Sequence, residues 1–244
     1  MVNNKCPVEL CEVIKSIPQL QFDGKKLVIL LGLLGDFDSF EYARVLLKDM
    51  NRLKKSNIRI HLIGIGTNES LERFSAFTGF PKPYISVYQD SSLHKSLGLY
   101  SGLNLPISSY LNLILMCAGI GSPGTLKEVM RGYIGDNNSP QNMDDDEVIK
   151  ILGLIELRGS FFKKFFGEGY LRPFELATIR LNNLIEVISN WKLYMHLDKH
   201  LEQRGATYLL DSNDEILHFH RSISILGFSE KISNPLAFLD KWIL

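Results

Sequence analysis

A chain of 244 residues, 45% apolar and 22% charged, has the length of one enlarged domain and enough apolar side chains to bury a core. Its 27 basic and 27 acidic residues cancel, and no long basic run occurs, which argues against non-specific binding of nucleic acid through phosphate neutralisation. Three cysteines, Cys6, Cys11 and Cys117, make neither a disulfide framework nor a zinc-type cluster. That usage fits a reducing compartment. Glu9 and Glu12 stand where a secretory leader needs an apolar core, and the longest apolar run, residues 27–34, is too short to span a bilayer. The expectation is a soluble, cytoplasmic protein.

Residues 7–17 set Val8, Cys11, Val13, Ile14 and Ile17 near one face and predict a short helix, with Cys11 on its buried side. After a turn at 22–25, residues 26–34 are apolar on both faces, as a strand inside a parallel sheet must be. Asp38, with Glu41 three residues on, reads as an N-cap and its reciprocal partner. The helix they open runs to about residue 55, with Tyr42, Val45, Leu46, Met50 and Leu53 inside. Residues 58–66 predict a second buried strand, and Thr67-Asn68 caps a helix over 69–78. This β-α-β-α order predicts parallel strands and a right-handed crossover.

The run 79–83 breaks the chain before a short strand at 84–89 and a short helix at 91–99. Residues 111–118 read as another apolar strand or buried segment, and 125–131 as a helix. The acidic stretch 137–147 reads as a mobile surface loop. Residues 148–201 read as helical, with a long helix over 173–195 begun by Pro173. Strands at 206–210 and 216–221 flank Ser212-Asn213-Asp214-Glu215 as a hairpin, and Asn234-Pro235 opens a terminal helix to residue 242.

Several local patterns carry chemistry on paper. Gly119-Ile120-Gly121-Ser122-Pro123-Gly124 spells G-x-G-x-x-G, a phosphate-cradling turn when it opens a helix. Pro123 removes one donor, and no acidic partner strand follows at the usual distance, so a plain Gly-rich connection is the reading. His196 with His200, and His218 with His220, are spaced to share a helix or strand face, but neither pair has a third ligand nearby, and no metal is expected. Residues 159–174 hold five Phe, a Tyr and three basic side chains, a segment that packs on the sheet or lies on a membrane or partner.

The stretch 27–50, LVILLGLLGDFDSFEYARVLLKDM, runs strand, Gly turn, helix. Together with the late hairpin it resembles the thioredoxin fold. More narrowly it is similar to the peroxiredoxin-like proteins of the AhpC/TSA group, which include selenoprotein U relatives. Those proteins carry Gly-Cys-x-x-Cys ahead of the helix, and here Gly35-Asp36-Phe37-Asp38-Ser39 stands there. Residues 74–99 and 205–211 resemble the group's second helix with its following strand, and the entry to its late hairpin. The resemblance implies an α/β fold with a thioredoxin-like central sheet flanked by helices. It implies one domain over 1–244, with a helical insertion at about 119–199 before the final β-hairpin.

It also implies that Arg204, ahead of the hairpin, faces the site at the head of the helix. A thiol peroxidase needs a thiolate, whereas Asp36 is a poor nucleophile towards peroxide and Ser39 has no base beside it. An Asp at a helix start is instead stabilising, by ~0.5–2 kcal/mol. The leading expectation is a protein that has lost thiol chemistry and binds a protein or a small anion. Gly35, Asp36, Phe37, Asp38, Ser39 and Arg204 would line its pocket, with no cofactor and no metal. Two other readings stand beside it: an antioxidant thiol oxidoreductase using Cys117, or Cys11 with Cys6, and a peripheral membrane or assembly factor docking through the Phe-rich insertion.

Overall fold

The computed structural model of the chain describes residues 4–243. In order, α1 (Val8–Ser16) leads to β1 (Lys25–Leu33), α2 (Phe37–Lys55), β2 (Ile58–Ile65), α3 (Asn68–Thr78), β3 (Ile85–Tyr88) and α4 (Ser92–Ser96). There follow α5 (Ser109–Cys117), α6 (Thr125–Ile134), β4 (Val148–Ile151), β5 (Ile155–Arg158), α7 (Gly159–Phe166), α8 (Glu175–Ser189) and α9 (Trp191–Tyr194). The hairpin β6 (Ala206–Leu210) and β7 (Ile216–Arg221) comes last, before a short 3-10 turn at Ala237–Leu239.

The central sheet has the order β3-β2-β1-β6-β7. β1 is parallel to β2, and β2 to β3, while β6 runs antiparallel to both β1 and β7. Alternate residues of β1 divide between two cores, as the period of a strand requires. Leu27, Ile29 and Leu31 join Phe40, Leu46, Phe74 and Ile60 beneath α2 and α3. Val28 and Leu30 join Leu10, Ile14, Ile63 and Tyr208 beneath α1. The centre of the sheet is therefore buried on both faces, and the expected α/β architecture with a thioredoxin-like central sheet is the one observed.

Several expectations are corrected. The N-cap of α2 is Asp36, whose side chain accepts from Ser39 N–H at 2.8 Å; Asp38 lies inside the first turn. Residues 111–118 are not a strand: α5 is a helix capped by Ser108, whose hydroxyl accepts from Leu111 N–H. Residues 148–158, read as helical, form the two-stranded β4–β5 hairpin. The long helix over 173–195 begins at Glu175 and breaks at Asn190, before α9. The terminal helix is reduced to the 3-10 turn.

The acidic stretch 137–147 is a surface loop, with Asn137, Asn138, Pro140, Asp144, Asp145 and Asp146 exposed, but it is anchored to the domain. Backbone N–H groups of Asn142 and Met143 donate to Glu175 Oε1, and Met143 is fully buried. Glu175 is itself paired with Arg172, and neither side chain is exposed to solvent. Arg44 from α2 clasps Asn142 O and the Glu147 carboxylate from the other side. Such charge-assisted bonds fix a backbone that composition alone marks as disordered.

Candidate functional site

The site is built where β1 ends and α2 begins. Gly35 and Asp36 make the turn, and Asp36 closes the helix with its side-chain oxygen. Ser39, fully buried, donates its hydroxyl to Leu33 O at 2.8 Å and so ties the first turn of α2 back to the strand. Gly35 is needed for packing: a Cβ there would lie 2.5 Å from Tyr194 Cβ, so only glycine lets α9 approach. At Gly32 a Cβ would meet Asp36 Oδ2 at 2.4 Å and Gln203 O at 2.6 Å. The backbone is thereby pressed directly against the Asp36 carboxylate.

Arg204, just ahead of β6, is 2% exposed and reaches this turn from the other side of β1. Its Nη1 lies 3.4 Å from Asp36 Oδ2 and 3.5 Å from Asp38 Oδ2. Nε donates to Glu202 O at 3.0 Å and Nη2 to Leu201 O at 2.9 Å. Asp38 also accepts from Leu226 N–H at 2.5 Å. Burial, and then the charge of Asp36, push the Asp38 carboxyl up to about 7 against the pull of Arg204. One buried cation thus faces two buried carboxylates.

Over the turn lies an apolar chamber of about 130 Å³. Gly35, Asp36, Phe37 and Arg204 form part of its wall, with Leu113 of α5, Leu184 and Val187 of α8, Trp191 of α9, Met195 and Ile225. Asp38 and Ser39 do not line it. Ser39 is packed beneath the turn, and Asp38 points to the Leu226 N–H. The roof residues belong to the 119–199 region or its flanks, which sequence reading left without a role. The signal for them was the apolar stripe along 173–195, which covers the head of α2.

The cysteines separate into two places. Cys6 sits in the core beneath α1, and Cys11, on α1 itself, is half-buried against that core. Burial, and then its neighbour Cys11, push the Cys6 thiol far above its usual range. Cys117, at the last turn of α5, packs in the same cluster as Phe37, Ile225 and Leu226 and feels the charges of Arg204 and Asp38. Burial outweighs the pull of Arg204, so its thiol is also raised and held protonated.

The Gly-rich turn is a brace for the site. Ser122 accepts from Ile225 N–H at 2.8 Å and Thr125 donates to Ile225 O at 3.0 Å, which fixes the segment that brings Leu226 to Asp38. His218 stacks on Phe238 and His220 Nε2 lies 2.9 Å from Gly227 O. Among the described residues no three His, Cys, Asp or Glu side chains gather as a metal site. In the Phe-rich segment Phe162 is buried, whereas Phe161 and Phe165 remain exposed. Among the described residues no helix is long and apolar enough to cross a membrane.

A family model described as AhpC/TSA antioxidant enzyme matches residues 45–223. The match starts inside α2, beyond residues 35–39, and takes in Cys117 and Arg204. No curated protein and no solved structure matches the chain. A match covering well over half of the sequence, on a sheet of this order, makes the chain a member of the AhpC/TSA antioxidant-enzyme family with a thioredoxin-like fold.

Proposed function

We propose that this member of the family has lost thiol-peroxidase chemistry at the head of α2 and acts by binding, its chamber receiving an apolar group of a protein partner. The observation that carries the reading is Asp36, spent on capping α2 and on facing Arg204 in the turn that resembles the family's Gly-Cys-x-x-Cys. A carboxylate so placed stabilises the helix and attacks nothing. Cys117, the thiol nearest to it, is kept protonated by burial.

A small anion, the other occupant expected at this site, is disfavoured by charge. The Arg204 guanidinium is already met by two backbone carbonyls and two carboxylates, which offset its charge before any anion arrives. The chamber wall is otherwise almost wholly apolar. An apolar cavity of ~150 Å³ stays dry and accepts benzene, so about 130 Å³ suits one leucine- or phenyl-sized group.

The test is peroxide consumption with a thiol reductant, run on the wild type, on a variant with Cys6, Cys11 and Cys117 all changed to Ser, and on Asp36→Cys. The expected result is no turnover in the first two and measurable thiol oxidation by peroxide in the third. Reductant-dependent turnover by the wild type, lost in the cysteine-free variant, would overturn the reading in favour of a Cys117 peroxidase. For the chamber, saturating benzene should raise the wild-type melting temperature and leave Leu184→Trp, which fills the space, unmoved.

A further inference from the structure

The β4–β5 hairpin ends in an uncovered apolar tip. Ile151 and Ile155 pair as its last rung, and Leu154 N–H donates to Ile151 O at 3.0 Å, closing a turn over Leu152 and Gly153. Leu152 is 68%, Leu154 86% and Ile155 56% exposed. A Cβ added at Gly153 would meet none of the described residues within 4 Å. The tip therefore projects from the body of the protein, with a large aliphatic side chain at every position of 151–155 except the glycine.

The backbone of the tip adds a second cost. Leu152 has φ +52° and Gly153 φ +69°, the paired left-handed conformation of a type I′ turn, which Asn-Gly or Asp-Gly fills most readily. Glycine holds the second position, as that turn requires. At the first, a bulky leucine takes up a conformation that sterics disfavour and also shows its side chain to water. One asparagine would remove both costs, so the leucine points to a contact made outside the chain.

Charge identifies that contact. From 148 to 166 the chain carries Lys150, Arg158, Lys163 and Lys164 against a single carboxylate, Glu156, which Lys150 meets across the hairpin at 2.9 Å. The acidic run 144–147 stands at the other end of the hairpin, beyond the Val148–Arg158 rung. There Arg44 holds Glu147, Lys48 faces Asp144, and Lys163 meets both Asp145 and Glu168. Three residue steps separate the two end rungs, roughly 10 Å, which is about one Debye length in physiological salt. The acidic run is thus largely screened from whatever the tip meets.

We propose that the β4–β5 tip inserts into an anionic phospholipid surface. Lys150 lies one rung and one turn behind the apex, roughly 7 Å, a depth that sets its ammonium among headgroups when Leu152 and Leu154 reach the acyl boundary. A lipid interface deforms around a projecting apex and covers Leu152, Leu154 and Ile155 together, whereas a protein groove has to be shaped to it beforehand.

The experiment is co-sedimentation of the full chain with sucrose-loaded vesicles, of phosphatidylcholine alone and of phosphatidylcholine mixed with phosphatidylserine. The wild type should bind the mixed vesicles several-fold more tightly than the neutral ones. Leu152→Asn with Leu154→Ser should weaken binding to the mixed vesicles about a hundredfold, since two leucine side chains leave the interface. Its urea midpoint should stay level or rise, because asparagine suits the left-handed position. Val8→Glu, at an exposed apolar position on α1, should bind as the wild type does. A wild type that binds neither vesicle overturns the proposal, even where the tip captures a protein instead. So does binding that the tip variant retains, that Val8→Glu loses, or that the neutral vesicles match.

Discussion

Replacing Asp38 by Asn isolates the electrostatic peculiarity of the site. In the folded protein its carboxyl is pushed from 3.8 up to about 7 by burial and by Asp36. The folded state therefore holds a proton that the unfolded chain has already released. The stability this proton contributes is fully present below about pH 4 and is lost as pH rises through about 7. At about 1.4 kcal/mol per pH unit for one proton, the whole interval is worth about 4 kcal/mol, of which roughly 2–3 kcal/mol falls between pH 5 and pH 8.

The raw pH profile mixes this with the opposite contribution of His61 and His94. Burial drives both to about 4, and they withdraw stability as pH falls from 6.5 towards that value. Subtracting the wild type from the variant cancels the histidines. The amide oxygen introduced by Asp38→Asn can still accept the Leu226 N–H, and Arg204 keeps Asp36 as its counter-ion. Urea unfolding across this range should show the variant gaining on the wild type by about 2–3 kcal/mol from pH 5 to pH 8. A constant difference across that range would refute the picture of two carboxylates sharing one guanidinium.

Two further outcomes follow from buried charge. Arg204→Met leaves Asp36 and Asp38 without their cation and should cost about 3–5 kcal/mol in chemical denaturation at neutral pH, with the loss shrinking in acid as the carboxylates take up protons. A loss under about 1 kcal/mol would mean the carboxylates are hydrated after all. Glu175→Gln weakens the bonds to Asn142 and Met143 and strips Arg172 of its counter-ion. It should destabilise the fold by about 3 kcal/mol and open residues 137–147 to limited proteolysis, at positions that resist cleavage in the wild type.

The first half of the fold was legible because its signals are local. β1 carries the aliphatic run Leu27–Leu31, β2 is aliphatic but for Arg59, His61 and Gly64, and Thr67 with Ser70 makes a capping box within four residues. The misreadings share a cause. The run LNLILMCA is apolar but for Asn112, so period could not separate helix from strand, and the deciding cap, Ser108, lay just outside it. Asp36 and Asp38 both suit an N-cap, and only the tertiary pull of Leu226 and Arg204 assigns them different work. The 137–147 segment looked disordered because its anchors, Arg44, Arg172 and Glu175, are distant in sequence. Of the site, the turn and Arg204 could be placed from the chain, whereas the chamber roof could not, since it depends on how α5, α8 and α9 fold back over α2.

The order of strands has a consequence for how the chain is made. β1 lies between β2, which follows within thirty residues, and β6, whose residues 206–210 pair with 26–30. At about 5–20 residues per second, translation takes roughly ten to thirty-five seconds to deliver that second neighbour. Through this interval the nascent protein carries a bare aliphatic edge at Val28, Ile29 and Leu30, a template for pairing with any other extended strand. A strand buried at eight of its nine positions in the finished molecule is thus the vulnerable one on the ribosome, and an early stop codon anywhere before the last hairpin leaves that edge permanently open.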